Sequence, residues 1–259
     1  MLNPERAGTH PKHHLRVPGD LAWDAYSPAA GVAMVTLAPE LPGALELIRG
    51  LVQRGVLVAA GHTDASAAQF VAAADAGLAS VTHLFNAMTP FGHRAPGPVG
   101  AALVDERVSV TLIADGHHVD PVAVAVVWRV VGPNRFVLVS DSTAALGSAP
   151  GYSTLGDVTL LHGPDGSVRN ATGALAGSAL PLDLAVRNLA AWVGCPLQQA
   201  AHAASRNPRR LLLRARSHGN AASIGAASSH GFSGDETWID DDGYVLRTVQ
   251  KGRTVFEAG

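Results

Sequence analysis

Val56-Leu-Val-Ala-Ala-Gly-His62 is a short apolar run that stops at a histidine, and the chain uses the same design again. Ser80-Val-Thr-His83 also ends in histidine, and Arg135-Phe-Val-Leu-Val-Ser-Asp141 ends in aspartate. Short apolar runs closed by a polar residue, with helical patterns between them, read as parallel strands buried on both faces. Side chains at the C-terminal ends of such strands gather on one side, where α/β proteins keep their chemistry. Two imidazoles and a carboxylate there suit a divalent cation that activates water, with an acid–base group beside it.

Working outward, Val32-Ala-Met-Val-Thr-Leu-Ala-Pro39 reads as a strand stopped by proline, and another strand is expected at about 108–114. Helical patterns fall at about 42–54, 64–76, 120–131, 179–193 and 197–205. Thr63 or Asp64 is the expected cap of the second, and Asp120-Pro121 marks the start of the third. Residues 1 to about 31 are rich in Pro, Gly and His and read as a loop leading into a helix. After Asp141 the texture turns to Gly- and Ser-rich loop, with a hairpin at Gly163-Pro-Asp-Gly166. A flexible, low-complexity segment is expected over 211–235, richest in Ala, Ser, Gly and His from 215 onward. The stretch 236–259 reads as a hairpin with an Asp-Gly turn. Five βα units fit either part of a barrel or an open doubly wound sheet, and the residues alone leave both open.

With 259 residues and 47% hydrophobic content, the chain can bury a large core. No apolar run approaches the roughly 18 residues of a membrane span, and the N-terminus lacks an apolar signal core. Cys195 stands alone, which excludes an internal disulfide or a cysteine-rich zinc site and fits a reducing cytoplasm. A net charge of −2 with scattered basic residues excludes a nucleic-acid footprint.

Several segments together resemble the N-acetylglucosamine-6-phosphate deacetylases of the metal-dependent amidohydrolase superfamily. They are Val35-Thr-Leu-Ala-Pro-Glu40, Gly61-His-Thr63, Thr82-His-Leu-Phe-Asn-Ala-Met88 with Arg94-Ala-Pro-Gly97, Ile113-Ala-Asp-Gly-His-His-Val119, Leu138-Val-Ser-Asp141 and Leu175-Ala-Gly-Ser178. Gly-His-Thr alone is weak; Thr-His-Leu-Phe-Asn-Ala-Met followed by Ala-Asp-Gly-x-His-Val is specific. The resemblance runs from residue 1 to about 210. It implies an incomplete (β/α)8 TIM-type barrel over 1–210, strands about four to eight, and a remnant of a small C-terminal β-domain at 236–259.

The resemblance also implies roles. His62 and His83 match metal ligands, and Asp141 matches the catalytic aspartate, with Ser140 and Ser142 where the family usually has Thr and Ala. Thr9 and His10 match a substrate-contacting pair, and Asn86 and Ala87 match residues at the sugar phosphate. Arg94 matches a phosphate-binding arginine, which in this family can come from the neighbouring subunit, so a homodimer is implied. His118 matches a substrate-binding histidine, and Leu175, Ala176 and Gly177 match a loop that closes over the sugar. Glu40 also ends a strand near the histidines, but the family takes its third metal ligand, a glutamate, from one strand earlier. That glutamate is expected just upstream of Met1, together with the first three strands, and Glu40 is expected either to support the metal ligands from behind or to be structural. Asp115 and His117 are expected to be structural too.

The activity implied is hydrolysis of the acetamide of N-acetylglucosamine 6-phosphate, a phosphorylated amino sugar, by a cytoplasmic enzyme using zinc or iron. Two other readings remain: a different amidohydrolase acting on a cyclic amide or dipeptide, and a non-catalytic truncated remnant. Arg94 with Asn86 favours the phosphosugar.

Overall fold

Five parallel strands, β1 (Met34–Leu37), β2 (Leu57–Ala60), β3 (Ser80–Val81), β4 (Ser109–Leu112) and β5 (Phe136–Leu138), lie side by side in chain order. The computed structural model describes residues 1–20, 23–218 and 235–258. Val35 pairs with Val58, Ala59 with Ser80, Val81 with Val110, and Leu112 with Leu138. Every crossover therefore steps in the same direction. A doubly wound sheet needs a reversal of strand order, so that alternative falls.

Helices α1 (Ala44–Gln53), α2 (Ala67–Asp75), α3 (Gly97–Val104) and α4 (Pro121–Arg135) make the connections and share one apolar core with the sheet. All four residues of β2 are buried, as a strand covered on both faces requires. Ser66 caps α2, rather than Thr63 or Asp64. The Gln69 N–H donates to the Ser66 hydroxyl, and the Ser66 N–H donates back to the Gln69 side chain. Thr63 and Asp64 are engaged elsewhere. Asp120 caps α4 as expected, accepting the Val122 N–H at 2.8 Å, and Gly132 at φ 70° breaks that helix before β5. The sequence reading missed α3, because its glycines and prolines look like turn signals. In the structure they permit close packing: a Cβ on Gly100 would lie 2.4 Å from Cβ of Pro96.

After β5 the chain forms a three-stranded antiparallel sheet, β6 (Gly151–Leu155), β7 (Val158–His162) and β8 (Val168–Asn170). The Gly163–Gly166 turn joins the last two as expected, over a small core of Ala145, Leu160, Val168 and Ala176. Three helices follow, α5 (Leu182–Val193), α6 (Leu197–Ala204) and α7 (Arg206–His218). The segment expected to be flexible from 211 thus begins as helix. Leu211 is buried, and the Asn207 amide donates to the carbonyls of Pro133 and Phe136 at 2.7 Å each, tying α7 to the start of β5. The rest of that segment, 219–234, lies outside the described residues.

The C-terminal stretch is a three-stranded meander rather than a hairpin: β9 (Glu236–Ile239), β10 (Val245–Gln250) and β11 (Arg253–Glu257). Asp240 closes its first turn by accepting the N–H groups of Asp242 and Tyr244. Arg187 of α5 reaches it, stacking on Tyr244 at 4.2 Å and donating to the Gly243 carbonyl. No helix among the described residues is long and apolar enough to cross a membrane.

Candidate active site

Because the five strands are parallel, β2, β3 and β5 deliver His62, His83 and Asp141 to one side of the sheet. All three residues are left-handed, with φ of 51°, 34° and 50°. Such backbone costs about 1–3 kcal/mol per residue and persists only where the surroundings hold it. Here they do. The His62 carbonyl accepts the Asn3 N–H at 3.0 Å, the His83 N–H donates to the Thr111 hydroxyl at 2.8 Å, and the Asp141 carbonyl accepts the Ser178 N–H at 2.8 Å. Ala87 and Phe85, in the loop after His83, are left-handed too.

The two imidazoles meet with their Nε2 atoms 3.1 Å apart. The Nδ1 of His62 lies 2.7 Å from the Arg6 carbonyl, so Nδ1–H donates there and the lone pair sits on Nε2. Burial, and then the neighbouring His83, push the pKa of His62 down to about 4, which keeps the ring neutral. Burial lowers His83 as well, against the opposing pull of Asp141. The buried Nδ1 of His83 has no hydrogen-bond partner among the described residues. Two neutral imidazoles are what a divalent cation requires of histidine ligands. Donors on a tetrahedral ion with bonds of about 2.0–2.1 Å stand about 3.3 Å apart, close to the separation here. The pair fits a cation.

These groups line a cavity of about 690 Å³. Thr9, His10, Asn86, Ala87, His118, Leu175 and Gly177 line it with them, so most of the expected substrate positions come together. Two do not. Ala176 is packed in the small core under β6–β8, and Arg94 is exposed and outside the cavity. His118 follows β4; its Nδ1 lies 2.6 Å from Asp115, whose carboxylate also accepts the N–H groups of His117 and His118. Burial would raise the Asp115 carboxyl, but these hydrogen bonds outweigh it and hold it below the usual range. His117 instead reaches the Asp165 carbonyl at 3.0 Å.

Glu40 is fully engaged in structure. Its carboxylate accepts the Asn3 amide at 2.8 Å, the Asp64 N–H at 2.7 Å and the Thr63 hydroxyl, pinning the turn that follows His62. Arg6, which the sequence reading passed over, lines the cavity, pairs with Asp64 at 2.5 Å and fixes His62 through its carbonyl. A contact made by a backbone carbonyl leaves no trace in residue type. Glu5, Gly8, Pro11, Ser142, Thr143 and Leu155 complete the lining.

Similar proteins share this arrangement of chain. An N-acetylgalactosamine-6-phosphate deacetylase from Escherichia coli O157:H7 is 39% identical over 92% of this chain, and the human N-acetylglucosamine-6-phosphate deacetylase is 37% identical over all of it. The chain spans 64% and 63% of the lengths of those two relatives. The crystal structure of N-acetylglucosamine-6-phosphate deacetylase from Thermotoga maritima superposes with a TM-score of 0.86 at 32% identity, covering 99% of this chain and 68% of its own. A mutant of the Mycobacterium smegmatis enzyme, solved in complex with N-acetyl-D-glucosamine-6-phosphate, gives 0.84 at 36% identity, covering 98% of this chain and 66% of its own. No family model matches the chain. On the strength of these relatives, the chain belongs to the N-acetylglucosamine-6-phosphate deacetylase family.

Proposed function

We propose that the protein hydrolyses the acetamide of N-acetylglucosamine 6-phosphate, yielding glucosamine 6-phosphate and acetate. The observation that carries this reading is the meeting of the His62 and His83 Nε2 atoms at 3.1 Å, in a cavity that Asp141 also lines. His62 and His83 would hold a divalent cation, zinc or iron, which supplies polarisation of the acetyl carbonyl and acidification of the attacking water. Asp141 takes the proton from water as general base and returns it to the amine as the C–N bond breaks. His118, locked by Asp115, presents Nε2 to the substrate. Thr9, His10, Asn86, Ala87 and the Leu175–Gly177 loop orient the sugar.

In the same reading the five strands are strands four to eight of a (β/α)8 barrel, which their unreversed order supports, and β9–β11 belong to a small β-domain. The barrel unit would run from residue 1 past the expected bound of 210 to the end of α7 at His218, and 236–259 would form the second unit. The exposure of Arg94 outside the cavity supports its use on a neighbouring subunit's substrate, and hence a homodimer. A cytoplasmic location rests on the single Cys195. The 39% identical relative favours a second substrate, the galacto epimer. Incubation with each N-acetylhexosamine 6-phosphate and zinc or iron(II), with assay of released acetate, tests the reading. Acetate release that depends on Asp141 is expected; the ratio of the two kcat/KM values assigns the epimer. No release from either sugar would overturn it.

A further inference from the structure

Three side chains outside that cavity bring ligand atoms close to one another. His13 and His14 lie on the 3-10 turn Lys12–His14, Asp157 lies in the turn joining β6 to β7, and one ligand atom of each is within 4.8 Å of the others. The two rings stand with centroids 4.0 Å apart, and all three residues are exposed. Their backbone is fixed. The His14 N–H donates to the Pro11 carbonyl, the Leu15 N–H to that of Lys12, and the Arg16 guanidinium donates to the carbonyls of His13 and Leu15 at 2.8 and 2.9 Å. On the other side, Gly156 at φ 55° turns the chain so that Asp157 stands at the tip of the β6–β7 turn. Ligands of a tetrahedral cation stand about 3.3–3.5 Å apart, so small rotations of exposed side chains would bring all three donors onto one ion.

We propose that His13, His14 and Asp157 form a second cation site, distinct from the His62–His83 pair, for a borderline transition metal such as Zn²⁺. Two imidazoles and one carboxylate favour zinc, nickel or copper over magnesium or calcium, which prefer oxygen-rich cages. The fourth position stays open to water. The site has a structural consequence. Thr9, His10 and Pro11, just before the turn, line one wall of the cavity, and Leu155, two residues before Asp157, lines another. A cation held between them ties the 9–16 loop to the β6–β7 hairpin and restrains how far the cavity opens.

Limited trypsin digestion of the metal-stripped full chain, with and without added ZnCl₂, tests this. The bonds after Lys12 and Arg16 report on the loop, and the bond after Lys251, in the β10–β11 turn, serves as internal reference. With zinc at ten times its dissociation constant, local opening and thus cleavage at Lys12 and Arg16 should slow about tenfold relative to Lys251. Asp157→Ala and, separately, His14→Ala should abolish that protection. The first variant removes the ligand on the hairpin and the second leaves the hairpin untouched, so a distorted turn cannot imitate the result. Protection that survives both variants would come from the His62–His83 pair and would overturn the proposal, as would no protection in the native chain.

Discussion

The carboxylate of Asp115 holds His118 at both ring and backbone: one oxygen lies 2.6 Å from the ring Nδ1, and the other accepts the N–H groups of His118 and its neighbour His117 at 2.8 Å each. Both side chains are almost buried. A ring fixed this firmly has one tautomer, with hydrogen on Nδ1 and Nε2 left for the cavity. Asp115→Asn loses a hydrogen bond to a charged group, worth about 1.5–3 kcal/mol, so kcat/KM for the N-acetyl sugar phosphate should fall about 10- to 150-fold. Nitrogen-15 spectra of the imidazole should show a single His118 tautomer in the native protein and a mixture in the variant. Unchanged spectra and kinetics would reduce Asp115 to a loop-forming residue.

The same carboxylate sets a pH dependence. Its folded pKa lies below the unfolded value of about 3.9, so its contribution to stability is complete above that value and is lost as the pH falls through the folded pKa. Urea denaturation of native protein and Asp115→Asn should therefore differ most near neutral pH and converge at the acid end. A gap that stays constant down to pH about 2 would contradict the lowered pKa.

Asp141→Asn should remove turnover while leaving the fold and the metal affinity intact. The amide matches the carboxylate in size but cannot carry a proton, so the loss falls on kcat, by about 10²–10⁴-fold. Its backbone need not move: the Asp141 carbonyl, not the side chain, accepts the Ser178 N–H. Steady-state kinetics beside metal analysis of the purified variant separates the two effects. A variant that turns over normally would shift proton transfer to another group.

The strand-end positions were legible because burial on both faces leaves an uninterrupted apolar run, and Val56–Ala60 and Phe136–Val139 carry that mark plainly. What lay outside such runs was not. Helix α3 hid behind Gly97, Pro98 and Gly100, which signal turns in isolation but serve close packing here. The arginines of α7 masked Leu211, which seats it, and Asn207, its anchor, acts on two backbone carbonyls that no sequence pattern can display. The cavity residues were legible where a motif carried them. Arg6 was not, because its carbonyl does the work on His62. The left-handed backbone at His62, His83 and Asp141 gave no warning either, since none of those residues is glycine. Arg94 shows the reverse case: its motif was legible, its place outside the cavity lining was not.

Gly61 precedes His62 in a tight spot between the ends of β1 and β3. A Cβ there would lie 2.7 Å from Cγ2 of Thr36 and 2.9 Å from Cβ of Thr82, in a position where the two threonine hydroxyls already meet at 2.9 Å. Gly61→Ala must therefore push β1 and β3 apart or displace the strand end that carries His62. Overpacking of this kind costs about 1–3 kcal/mol, and metal affinity should drop with stability because the Nε2 separation changes. Thermal unfolding together with a zinc titration measures both. An alanine variant with native Tm and native affinity would mean that the threonines yield freely.

Arg94 poses a sharper test, because it is exposed and does not line the cavity. If it grips the phosphate of a substrate bound to a neighbouring subunit, Arg94→Ala should raise KM for the sugar phosphate and leave the stability of the chain untouched. A charge-assisted bidentate contact of about 1.5–3 kcal/mol is at stake, and the loss should be absent for the unphosphorylated sugar, which has no dianion to hold. Subunit exchange adds a readout that a local role cannot imitate. Mixing Arg94→Ala with Asp141→Asn creates hybrid dimers in which one site combines the intact Asp141 of one subunit with the intact Arg94 of the other. Such a mixture should recover activity that neither variant has alone at low substrate. An inactive mixture, with exchange verified by mass spectrometry, would show that Arg94 serves its own subunit or none.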